Sequence, residues 1–71
     1  MPQTSLKIFD IVVLLENVEN FNKGITGVIV HCYTCYTLYE VEIIENHKTQ
    51  GVVTVTNKQI AKVNKSNNGK T

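Results

Sequence analysis

In the stretch Thr37 to Ile44, Tyr39, Val41 and Ile43 alternate with Glu40 and Glu42. Successive side chains of a β-strand point to opposite faces. This segment therefore reads as a strand with one face on a core and its carboxylates toward water. It is the clearest pattern in the chain, and it sets the expectation of a sheet.

Other segments supply partners for it. Phe9 to Leu15 is rich in Ile, Val and Leu and has no helix cap ahead of it, so it reads as a first strand. Ile25 to Cys32 reads as the second, and Gly27 inside it predicts a bulge or a close backbone approach. Gly51 to Thr56 is the fourth, with Val53 and Val55 inward and Thr54 and Thr56 outward. Ala61 to Val63 is a short closing fifth strand. Between them, Glu16 to Gly24 is a polar loop from which Val18 and Phe21 fold back as anchors. Tyr33 to Tyr36 connects the second and third strands, and Glu45 to Gln50 is a polar turn. Asn57 is placed to cap a single 3₁₀ turn that aims Ile60 at the core.

The chain has 71 residues, too few for two independent cores. A β-sandwich usually needs about seven strands and about 100 residues. Five short strands with a tight turn before the last predict an all-β fold, a small, partly open SH3-like barrel, whose curling hides its sheet edges. The expected division is a leader at 1–7, the barrel at 8–63 and a disordered polar tail at 64–71, where no apolar residue is available to bury.

The longest apolar run is Ile11 to Leu15, far short of the roughly 20 residues a membrane helix requires. Met1 to Lys7 has no basic cluster followed by an apolar stretch, so a cytoplasmic location is expected. Residues 1–57 hold three lysines and all six acids, a net −3, whereas residues 58–71 hold four lysines and no acid, a net +4. There is no arginine. Arginine makes the bidentate contacts to guanine and phosphate, so its absence weakens a nucleic-acid reading.

The strands beginning Phe9-Asp10-Ile11-Val12-Val13-Leu14-Leu15-Glu16, Lys23-Gly24-Ile25-Thr26-Gly27-Val28-Ile29-Val30 and Tyr39-Glu40-Val41-Glu42-Ile43, then Val53-Thr54-Val55 with Ile60, resemble a family of short bacterial proteins. The family is frequent in cyanobacteria and known as a domain of unknown function. The resemblance spans roughly residues 8–63. It implies an SH3-like barrel, no established activity and no transferable site residue. It also implies genes set beside those of small toxins, hence an antitoxin or immunity role. The chain departs from the pattern at Ile43, where the family has phenylalanine. It also lacks Asp-Gly in the turn Asn46 to Gln50 and is rich in cysteine and tyrosine over His31 to Tyr36. A more distant likeness is to the small stromal subunit of photosystem I that helps to dock ferredoxin.

Cys32 and Cys35 are spaced Cys-x-x-Cys, with His31 beside them and His47 further on. Such a pair can hold half a zinc site or form a redox dithiol. In an extended strand the two would lie about 10 Å apart on opposite faces, so they cooperate only through a turn at Tyr33-Thr34. No second Cys-x-x-Cys completes a zinc quartet, and no helix follows to lower a thiol pKa. Both cysteines are therefore expected to be ordinary thiols, and no metal or cofactor is expected. Tyr33 and Tyr36, if exposed, are the first candidates for an interface anchor, while Tyr39 belongs in the core. Glu40 and Glu42 share a face. Without a cleft they are solvated rather than catalytic, and they suit recognition of a basic partner. Gly24 and Gly27 are not followed by Lys-Ser/Thr, so they serve backbone geometry rather than phosphate binding. His47 reads as a surface turn residue.

No Ser-His-Asp set and no metal quartet is present, so the chain is expected not to be an enzyme. The leading expectation is a protein-interaction module that binds a cognate protein, such as a toxin encoded nearby, through Tyr33, Tyr36, Glu40 and Glu42. The alternatives are a nucleic-acid-binding barrel that uses the tyrosines and the lysine tail, and a docking subunit of an electron-transfer assembly.

Overall fold

A computed structural model describes residues 6–33 and 37–63. Five strands follow one another: β1 (Ile11–Leu14), β2 (Thr26–Cys32), β3 (Leu38–Glu45), β4 (Lys48–Thr56) and β5 (Ile60–Lys62). They form one antiparallel sheet in the order β4-β3-β2-β1-β5. Among the described residues there is no helix, and thus none that could cross a membrane. β4 and β5 stand at opposite ends of the strand order and share no ladder, so the sheet is not closed.

The inner face is aliphatic. Val12, Leu14, Ile29, Val41, Ile43, Val53, Val55 and Ile60 are fully buried, with Tyr39 and Val18 beside them. Burying one such aliphatic side chain stabilises by about 1.5–3 kcal/mol, so this cluster dominates the stability of so small a sheet. Val18 and Phe21 pair across a tight turn, exchanging both backbone hydrogen bonds at 2.9 and 2.8 Å. Both then pack on the core, as anchors of the loop.

Gly27 marks a close approach, not a bulge. A Cβ there would lie 2.6 Å from the Glu42 carbonyl oxygen and 2.6 Å from Val41 Cγ1. The bulges fall elsewhere. Ile29 pairs with Val41 and His31 with Glu40, so Val30 is the additional residue in β2. Ile43 pairs with Gly51 and Ile44 with Thr49, which makes Gln50 the additional residue in β4.

Three boundaries correct the sequence expectation. Phe9 and Asp10 are not in β1. They close a turn with Lys7, in which the Asp10 N–H donates to the Lys7 carbonyl at 3.0 Å and Phe9 has φ +77°. The polar turn of Glu45 to Gln50 shrinks to Asn46-His47, with φ +53° and +65°, the pattern of a two-residue hairpin turn. β4 therefore begins at Lys48. The expected 3₁₀ turn capped by Asn57 is instead one β-turn, closed by Gln59 N–H to the Thr56 carbonyl at 3.0 Å. Thr56, not Asn57, does the capping: its hydroxyl accepts the Lys58 N–H at 3.3 Å.

Candidate interaction face

The bulge at Val30 decides what β2 presents. Strict alternation from the inward Ile29 would turn His31 inward and Cys32 outward. One additional residue reverses both. His31 now faces out opposite Glu40, while Cys32 pairs with the buried Tyr39 and packs against the core. His31 and Cys32 thus lie on opposite faces. Among the described residues no three His, Cys, Asp or Glu side chains gather as a metal site. Cys35 and Tyr36, like the tail from residue 64, lie outside the described residues.

Tyr33 lies on the same outward side. It is 39% exposed, and its hydroxyl donates to a Glu40 carboxylate oxygen at 2.6 Å. Its ring meets His31 edge-on, with centroids 4.6 Å apart. The hydrogen bond to Glu40, then burial, then the carboxylate's charge raise the Tyr33 phenol above its usual pKa. Glu42 accepts from the Thr49 hydroxyl. Both carboxylates are half-buried rather than freely solvated.

The rest of this face is largely apolar. Pairing across the strands lines up Val63, Ile11, Val28, Glu42 and Val52 in one transverse row. Four of the five are aliphatic, and the exception is a carboxylate. Beside Glu42 opens a groove of about 500 Å³, lined by Ile11, Thr26, Val28, Ile44, His47 and Val63. A volume of this size suits a bulky side chain or a small ligand. His47 is therefore at the groove rim, about as far along β3 from Tyr33 as the hairpin allows. Glu45 pairs with Lys48 at that hairpin end, away from the tyrosine cluster.

Sequence reasoning picked out Tyr33, Glu40 and Glu42, and the structure brings Tyr33 and Glu40 into contact. It missed the groove residues. The signal was there in Ile11-Val12-Val13-Leu14 and Val28-Ile29-Val30, which are apolar on both faces. Strands of that kind are normally covered on both sides. Compared with known protein families, curated proteins and solved structures, the chain matches none.

Proposed function

We propose that this chain is a non-enzymatic protein-interaction module that docks a partner on its outer sheet face. The supporting observation is the aliphatic row interrupted by Glu42, with its groove on one side and the Tyr33–Glu40 pair on the other. An apolar patch of this kind on a small soluble sheet is a common mark of an interaction surface. The carboxylates specify its chemistry. The partner brings aliphatic or aromatic side chains to the groove and a Lys or Arg to Glu42 and Glu40. A nucleic acid would instead set phosphates against those two carboxylates. The strand order fits an SH3-like barrel opened between β4 and β5, which we take as the underlying fold. Inhibition of a cognate toxin is the form of this reading that the family resemblance suggests. A docking role in an electron-transfer assembly would use the same face.

The test is comparative affinity purification with the wild type, Val28→Lys and Glu42→Lys. Both variants change outward side chains and should keep the fold, as circular dichroism can verify. The proposal expects one protein recovered by the wild type and lost from both variants. Recovery of the same proteins by all three, or of none by the wild type, overturns it.

A further inference from the structure

The outer edge of β4 carries a short stretch of unpaired backbone bounded on both sides. The Asn57 N–H donates to the Thr37 carbonyl at 3.3 Å, toward β3. Alternation in an antiparallel ladder then turns the backbone groups of Thr56, Thr54 and Val52 away from β3. Thr56 agrees with this. Its N–H donates to Gln59 Oε1 at 2.8 Å and its carbonyl accepts the Gln59 N–H at 3.0 Å. At the other end the ladder breaks at the Gln50 bulge. Between these limits, among the described residues, the N–H and C=O groups of Val52 and Thr54 have no partner. Their side chains are exposed, Val52 by 52%. Gly51 to Thr56 carries no charge and no proline, so within this stretch neither of those guards blocks the edge.

We propose that this edge pairs antiparallel with the same edge of a second copy of this chain. The register follows from the free groups. With a two-fold axis at Val53, Val52 faces the second copy's Thr54 and Thr54 faces its Val52. Each of these is a closely spaced pair that exchanges two hydrogen bonds, so all four free groups are satisfied twice over the interface. Shifting by two residues in either direction would bring in Thr56, already occupied by Gln59, or the bulged Gln50. The result is a continuous ten-stranded sheet with two outer faces side by side, a bivalent version of the docking face. The contact is small, and Lys48 and Lys58 flank it in both copies, so association is weak and strengthens with added salt.

Sedimentation equilibrium from about 10 µM to 1 mM tests the pairing, a range that brackets weak association. The expected result is an average mass that climbs toward twice that of one chain, with Val52 and Thr54 amide resonances moving in step. Val52→Pro removes an N–H that faces away from β3 and costs no ladder bond. Thr54→Lys adds a charge beside the axis on an exposed side chain. Both variants are expected to stay single chains across the range, while Val28→Lys associates like the wild type. A wild type that remains a single chain at 1 mM overturns the proposal, as does association that survives both edge variants.

Discussion

Phe9 occupies, in the turn Lys7–Asp10, the position that Gly24 occupies in the turn Asn22–Ile25. Each turn is closed by a bond from its fourth residue's N–H to its first residue's carbonyl, at 3.0 and 3.2 Å. Each has a third residue at positive φ, +77° for Phe9 and +97° for Gly24. Each then joins the β1–β2 ladder in the same way. Phe9 N–H donates to the Ile29 carbonyl while Asp10 accepts from Ile29, and Gly24 N–H donates to the Leu14 carbonyl while Ile25 accepts from Leu14. The two ends of one ladder thus use one device, once with the residue it favours and once with a bulky aromatic.

Left-handed backbone costs a non-glycine residue about 1–2 kcal/mol. The Phe9 ring recovers little of this, being 77% exposed. Phe9→Gly is therefore expected to stabilise the fold or leave it unchanged, by up to about 1 kcal/mol after the entropy of the more flexible unfolded chain is counted. Gly24→Ala is expected to destabilise by about 1 kcal/mol. Urea midpoints of the two variants measure this. A Phe9→Gly protein markedly less stable than the wild type would contradict it.

These turns show what was legible in the sequence and what was not. Five strands followed from apolar patterning, because side-chain alternation on β3 and the runs in β1 and β2 are local signals. The start of β1 was misplaced because Phe9 looks like a strand residue and nothing nearby announces positive φ. The start of β4 was misplaced because Asn46-His47 is a weaker two-residue turn signal than Asn-Gly. The facing of His31 and Cys32 was out of reach, since one additional residue at Val30 inverts both and bulges leave no fixed mark in sequence. On the outer sheet face, Tyr33 and the glutamates stood out as polar and aromatic exceptions. The aliphatic residues of the groove, Ile11, Val28, Ile44 and Val63, did not, because each is individually ordinary in or beside a strand.

At Gly27 the sheet leaves no room for a Cβ. A methyl group there would meet a backbone carbonyl at 2.6 Å, and a backbone atom cannot swing aside as a side-chain tip can. Gly27→Ala is expected to destabilise by about 2–3 kcal/mol, in the range of overpacked cores. Thermal unfolding by circular dichroism reads the change. A loss within about 0.5 kcal/mol, typical of an ordinary surface site, would show that β2 and β3 are free to separate.

The Tyr33–Glu40 hydrogen bond makes a pH prediction. The phenol is held protonated by the carboxylate, so its folded pKa lies above its unfolded value. A neutral form favoured by the fold gives stability that is fully present below the unfolded pKa, near 10, and is lost as pH rises through the folded one. Glu40→Gln removes both the charged acceptor and the repulsion. Tyr33 is then expected to titrate closer to about 10. The Tyr33 ring Cζ resonance follows this directly, and an unchanged midpoint in Glu40→Gln would show that Glu40 does not hold the proton.

Gln59 ties together parts of the chain 43 residues apart. Its Oε1 accepts the Thr56 N–H at 2.8 Å and its Nε2 donates to Glu16 at 3.0 Å, so one carboxamide links the end of β4 to the segment after β1. Gln59→Ala removes both bonds and is expected to cost about 1 kcal/mol, because both are exposed and water replaces part of each. It also frees the Thr56 N–H, so the open edge of β4 gains one donor, while the Thr56 carbonyl keeps its bond from the backbone N–H of residue 59. Edge pairing between copies should then tighten while the fold weakens, two effects of opposite sign from one substitution. Gln59→Glu separates them. It keeps an acceptor for Thr56, so the edge stays capped, but sets a carboxylate against Glu16. Equilibrium unfolding should show both variants destabilised, and sedimentation should show stronger association for the alanine variant alone. Equal association by the two variants would mean that the Gln59 side chain does not cap the free edge.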